Sequence, residues 1–288
     1  MGQQTFIAVD WGTTNRRAYL IKNGTVVDTE RDSLGVTAVP AGGFEEEVAK
    51  LRDRHGGAPV VLAGMVGSNR GWVDAGYVST PATLEALATA VVHPMDGVLI
   101  IPGVRHVAEG RGDVMRGEEV QLLGALAAGL APADALLCQP GTHCKWAWMK
   151  DGTLSAFVTA MTGEMFALLK AHALIGQEMT GEVTPGAAFV QGVREGGRGD
   201  LLASLFGVRP ASLLSLRDRE DAAAFVSGLL IGADCASHAG KGEVHLLADP
   251  ALGALYSQAI TELGGTPLLI DSHTAFIAGV TRLWEYLS

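Results

Sequence analysis

Apolar residues come in short alternating runs at the start of the chain and again near its middle. The first run, Ile7-Ala8-Val9, ends at Asp10-Trp11-Gly12-Thr13-Thr14. Its successor, Arg17-Ala18-Tyr19-Leu20-Ile21, turns at Asn23-Gly24-Thr25. In the middle, Leu136-Leu137-Cys138 ends at Gln139-Pro140-Gly141-Thr142, and Lys145-Trp146-Ala147-Trp148-Met149 turns at Asp151-Gly152-Thr153. Alternation predicts strands, and Asn-Gly or Asp-Gly between two strands predicts a tight hairpin. The Gly-Thr pairs lie 12 residues apart in the first copy (12 to 24) and 11 in the second (141 to 152). Two such hairpins facing each other can hold a polyphosphate between them.

Between the hairpins the pattern changes. Helical spacing covers Leu84–Val92, Glu118–Leu130, Glu164–Leu174, Asp221–His238, Ala251–Leu263 and Ala275–Tyr286. Short apolar strands are predicted at Val60–Met65, Val98–Ile101, Val244–Leu247 and Pro267–Ile270. Residues 176–186 read as loop. Ala187–Val193 and Leu201–Phe206 read as helical pieces around a flexible Glu195–Asp200. The result is α/β, in two halves that each open on a hairpin: residues 1–130 and 131–288, hinged at Ala131-Pro132-Ala133-Asp134.

Composition narrows the function. The 288 residues are 48% hydrophobic, enough for a sizeable core. The net charge of −10 argues against nucleic acid or an anionic membrane as partner. An anionic small substrate stays open, because arginines and backbone amides can bind one inside an acidic protein. No run reaches the ~18 apolar residues of a membrane span, and no secretory leader is legible. Cys138, Cys144 and Cys235 form neither a CxxC pair nor an even set, which suits a reduced, cytoplasmic protein. The chain lacks GxxxxGK[ST], GxGxxG, HExxH and GxSxG motifs. The oligomeric state stays open, a homodimer among the options.

Four stretches carry candidate chemistry. Asp10 ends a buried strand, where a carboxylate needs a cation or donors; hydrated Mg2+ suits it. Gly12 admits close backbone approach, and Thr13 and Thr14 offer donors. Gly141, Thr142, His143 and Lys145 form the second set, with no acid matching Asp10. Glu118 begins a helix, where the dipole favours a carboxylate able to take a proton from an alcohol. Taken alone, however, acids in a first helical turn read as caps, and Glu119 and Asp113 are rivals. Ser68, Asn69, Arg70 and Trp72 make a kit for a polyhydroxylated acid, with Asn15 and Arg16 nearby; a structural polar turn is the plain alternative. Alternation sets Arg16 and Arg17 on opposite faces. Asp271-Ser272-His273 reads as a strand end and helix cap.

These residues carry a resemblance. The stretch from Asp10 to Thr14, the segment Pro140-Gly141-Thr142, and Gly228–Gly232 followed by Val244–Asp249 resemble the two phosphate elements and the adenosine element of actin-like ATPase sugar kinases. Residues 117–124, GEEVQLLG, are similar to the segment of FGGY carbohydrate kinases that carries the catalytic Asp, with Glu118 in its place. AVDWGTTNRRAYL, GMVGSNRGW, MRGEEVQLLGAL and QPGTHCKWAW together resemble the 2-dehydro-3-deoxygalactonokinase family over essentially the whole chain. The resemblance implies two ribonuclease-H-like domains flanking a cleft, with the sugar acid mainly on the first and ATP mainly on the second. It implies ATP and Mg2+, Glu118 as base, and phosphorylation of 2-dehydro-3-deoxygalactonate at its C6 hydroxyl. Another sugar or keto-deoxy acid, or a non-catalytic nucleotide-binding role, are the alternatives; Asp249 and its loop are guesses for the adenine.

Overall fold

The computed structural model describes residues 5–287. Strand β1 (Thr5–Trp11) pairs antiparallel with β2 (Arg16–Lys22), and β2 with β3 (Thr25–Asp32). Asn23 and Gly24 take φ of 51° and 75°, the left-handed pair that a two-residue hairpin of right-handed twist requires. Helix α1 (Phe44–Arg54) leads to β4 (Val60–Ala63), parallel to β1. There follow β5 (Tyr77–Ser79), α2 (Leu84–Thr89), β6 (Val92–Met95), β7 (Val98–Ile100), β8 (Gly103–Ala108), β9 (Arg111–Met115) and α3 (Glu118–Ala127). The main sheet runs β3-β2-β1-β4-β7-β6, and β5-β8-β9 form a small second sheet.

The sequence then begins again. The strands β10 (Ala135–Gln139), β11 (Cys144–Lys150) and β12 (Thr153–Ala160) precede α4 (Thr162–His172), α5 (Ala187–Gly196), α6 (Leu201–Leu213) and α7 (Arg219–His238). The chain closes with β13 (Glu243–Leu247), α8 (Pro250–Glu262), β14 (Thr266–Ile270) and α9 (Ser272–Leu287). The sheet order is β12-β11-β10-β13-β14, the same path that β3-β2-β1-β4-β7 traces, with β13 parallel to both neighbours. Asp151 and Gly152 repeat the hairpin geometry, at φ 50° and 74°.

Two compact units result. One holds the chain up to Ala133, Met149–Ala156 and the chain from Ser272 on; the other holds Asp134–Trp148 and Phe157–Asp271. Linear alternation puts α9 with the second half, but α9 packs on α3 in the first unit. The reason is a backbone crossing: a methyl group on Gly124 would sit 2.0 Å from the Ala275 carbonyl oxygen. In the second unit α5 and α7 cross as closely, through Gly192, Gly196, Gly228 and Gly232. The first core gathers Ile7, Val9, Trp11, Phe44, Val48 and Leu62, and the second Trp146, Phe189, Val193, Leu246 and Tyr256. Among the described residues no helix is long and apolar enough to cross a membrane.

Candidate active site

Asp10 is the penultimate residue of β1 and stands opposite Arg17 on β2; Trp11 stands opposite Arg16. Cross-strand partners share a face and successive residues alternate, so Asp10 and Arg17 lie on one side, Trp11 and Arg16 on the other. Burial pushes the Asp10 carboxyl up to about 6; Arg17 opposes the shift and Glu118 adds to it. Glu118 comes close because Gly64, past β4, and Gly117, before α3, have φ of 93° and 104°. A Cβ on Gly117 would lie 3.1 Å from the Gly64 Cα, and one on Gly64 would lie 2.8 Å from the Trp11 carbonyl oxygen. Only glycine accepts both the conformation and the approach.

The three rival acids separate clearly. Glu118 is half-buried and accepts the Arg116 N–H at 3.1 Å. Glu119 is fully buried, and its two oxygens take the Gly117 N–H at 2.8 and 2.7 Å. Burial, then the charge of Glu118, pushes the Glu119 carboxyl up to about 8. Asp113 sits in the small sheet opposite His106 and accepts the Val114 N–H at 2.7 Å. Of the three, Glu118 joins Asp10.

Around this pair the Gly12–Asn15 turn is pinned from behind. The Gly12 N–H donates to the Asn15 carbonyl at 2.9 Å, Val36 donates to Gly12, and the Thr37 hydroxyl donates to the Thr13 carbonyl at 2.9 Å. Thr13, Thr14 and Asn15 remain exposed, with the Asn15 amide donating to the Thr14 hydroxyl. Arg16 is committed elsewhere: it is buried, 2.6 Å from Asp32 and 3.6 Å from Glu47, with its guanidinium over the Trp11 ring. Arg17 is the arginine beside Asp10; its register opposite Asp10 was the available signal. Buried Ser68 donates to the Met65 carbonyl and accepts the Arg70 N–H, leaving the Asn69 and Arg70 side chains exposed on a tied turn. Trp72 stacks on Phe44 at 6.5 Å and packs against the core.

In the second unit Thr142 and His143 are exposed, and the His143 ring meets Glu164 at 2.7 Å. Glu164 N–H donates to the Thr142 carbonyl, so the start of α4 is tied to the Gly141–Thr142 turn. Lys145 is buried, its Nζ donating to the Thr159 hydroxyl at 3.0 Å. Beside Gly141 lies an apolar cavity of about 210 Å³, lined by Thr162, Phe166, Leu230, Leu255 and Tyr256 among others. Asp234, which escaped the sequence reading, organises its wall. It accepts the Thr162 hydroxyl at 2.8 Å, the Tyr256 hydroxyl at 3.2 Å and the Trp146 indole N–H at 2.8 Å. Its signal was an acid amid the small apolar residues of α7. Asp249 is occupied differently, capping α8 through the Ala251 and Leu252 N–H groups.

The comparisons with known proteins agree with this architecture. A family model described as 2-keto-3-deoxy-galactonokinase matches residues 10–283. The chain belongs to the 2-keto-3-deoxy-galactonokinase family. The 2-dehydro-3-deoxygalactonokinase of Escherichia coli (strain K12) is 38% identical to it, over 96% of this chain and 97% of that protein. A Sinorhizobium meliloti crystal structure described under the same enzyme name superposes with a TM-score of 0.90 at 34% identity, over 96% and 97% of the two chains. Component A of the Acidaminococcus fermentans (R)-2-hydroxyglutaryl-CoA dehydratase shares the fold alone, with a TM-score of 0.52 at 12% identity over 99% of each chain. Both units carry the same five-strand order, and membership of this family makes the chain a carbohydrate kinase.

The acids also fit a divalent cation. Asp10, half-buried at a strand end, feels the charge of Glu118, with Arg17 as the cation that opposes its shift. Such a negative spot suits a hydrated Mg2+. Among the described residues the grouping with metal-like spacing is Asp28, Glu30 and His55, where Glu30 is already held by two of the Arg54 nitrogens at 3.1 and 2.7 Å.

Proposed function

We propose that this family member transfers the γ-phosphoryl group of ATP to the C6 hydroxyl of 2-dehydro-3-deoxygalactonate, with Glu118 as general base, in the cytoplasm. The observation that carries the assignment of roles is the meeting of two turns: Gly117, at the head of α3, packs on Gly64, which packs on the Trp11 carbonyl next to Asp10, and the charge of Glu118 adds to the rise of the Asp10 pKa.

The chemistry follows from the positions. The Glu118 carboxylate accepts the hydroxyl proton as the C6 oxygen attacks the γ-phosphorus; that P–O bond forms, the bond to the β-phosphate oxygen breaks, and ADP leaves with the electron pair. The Arg116 N–H holds one Glu118 oxygen at 3.1 Å and fixes the carboxylate's orientation. Asp10 would hold Mg2+ through water, and the ion would neutralise charge on the phosphate oxygens. The Thr13–Thr14 turn of the first unit and the Gly141–Thr142 turn of the second, with His143, each offer amides and hydroxyls suited to phosphate oxygens. The 210 Å³ cavity takes the adenine, because its wall is apolar and Asp234 fixes its two hydroxyl-bearing residues. Asn69 and Arg70, projecting from their tied turn, recognise the sugar acid, Arg70 through its carboxylate.

The deciding test is coupled ADP release with purified protein across a panel of 2-keto-3-deoxy acids and neutral ketoses. We expect 2-dehydro-3-deoxygalactonate to give the highest kcat/KM. A neutral ketose that surpasses it would overturn the substrate assignment.

A further inference from the structure

We propose that α6 is the contact helix of a homodimer, onto which a second copy of this chain docks. Helix α6 is apolar on two sides. Val208 is buried, and Leu201 and Leu205 pack inward on Phe225, Val226 and their neighbours. On the other side Leu202 and Phe206, one turn apart, are 82% and 72% exposed. At the end of the helix and just past it, Leu213, Leu214 and Leu216 are also exposed, at 70%, 68% and 76%. A helix with an apolar surface on both sides calls for cover on both.

Size and charge indicate the occupant. The five side chains leave roughly 700 Å² in water, above the ~300–600 Å² of the largest patch on a typical monomer. That is close to the ~800 Å² each partner contributes to a standard interface. No acid occurs from Leu201 to Arg217. The two arginines of the stretch are both partly buried, and Arg217 lies over the Phe225 ring of its own unit at 3.3 Å. The patch is therefore nearly neutral on a chain of net charge −10, and two like-charged copies meet there with least repulsion. A membrane surface is a poorer occupant, since interfacial helices carry a cationic polar face that α6 lacks. One patch serving both partners gives an isologous, two-fold contact.

The test is sedimentation of the full chain at micromolar concentration, with the double variant Leu202→Glu/Phe206→Glu beside it. We expect wild type at twice 29.9 kDa and the variant at 29.9 kDa, with unchanged circular dichroism and unchanged ADP release. A wild type that sediments as a monomer overturns the proposal, as does a dimer that survives both glutamates. A second variant, Phe206→Cys, reads the geometry directly. Cys138, Cys144 and Cys235 are all buried, so position 206 carries the one exposed thiol among the described residues. A bulky maleimide should label that thiol slowly in the dimer and readily after dilution to monomer; equal labelling in both states would overturn the assignment to α6.

Discussion

The two units share a strand order and a hairpin geometry, yet they hold different chemistry. At the end of β1 stands Asp10, and α3 delivers Glu118 beside it. At the end of β10 the chain reads Gln139-Pro140, and a buried acid of that unit, Asp234, lies on α7, where three donors hold it. One repeat places its acids near exposed hydroxyls; the other uses its acid to fix a pocket wall. Duplicated backbones thus supply two similar frames, and the side chains at the strand ends and on the covering helices divide the work. That division can be tested by removing each acid in turn.

Glu118→Gln should have the largest effect, lowering kcat by roughly 10²–10⁴-fold, the usual contribution of a general base. ATP affinity measured by calorimetry should hardly change. Near-normal turnover would move the base to another group.

Asp10→Asn comes next. We expect kcat to fall by about 10²-fold or more, as when one preorganised electrostatic group is lost. The Mg2+ concentration needed for half-activity should rise. A variant with unaltered Mg2+ dependence would detach Asp10 from the ion.

In the second unit, Asp234→Asn should act on binding. It weakens charge-assisted hydrogen bonds to Thr162 and Tyr256, so the KM for ATP should rise by about tenfold while kcat changes little. An effect on kcat larger than that on KM would break the contrast between the units.

The smallest effect concerns stability. Glu119 titrates near 4.5 when unfolded and at about 8 when folded. As pH rises between these values the unfolded chain releases a proton that the native state keeps, so stability declines. Glu119→Gln removes the ionisation, and the melting temperature should become flatter across that window than in wild type. An unchanged slope would assign the decline to other groups.

Much of this plan was legible along the chain. Period-two alternation and the Asn-Gly and Asp-Gly turns located both hairpins, because left-handed φ at two consecutive residues restricts which residues can turn there. The resemblance of short motifs named the family and put forward Asp10 and Glu118 as candidates. Local pattern missed α1, the three- to six-residue strands β5, β6, β8 and β9, and the continuation of α6 through Pro210 to Leu213. The strands are too short and α6 too interrupted for periodicity to register, whereas α1 carries a legible i, i+4, i+7 stripe in Phe44, Val48 and Leu51.

What tertiary structure alone decided are the contacts between residues distant in sequence. Arg16 rather than Arg17 is bound to Asp32 and Glu47 because a β-strand sends successive side chains to opposite faces, and register fixes which face holds those acids. Glu118 rather than Glu119 stays partly open, because the first residue of α3 follows the Gly117 turn outward while the second is fully buried with its oxygens on the Gly117 N–H. The last helix joins the first unit because Gly124 and Gly279, far apart in the chain, let two backbones touch. Sequence by itself determined which residues were available and where the chain turns; packing in three dimensions determined which of them face each other.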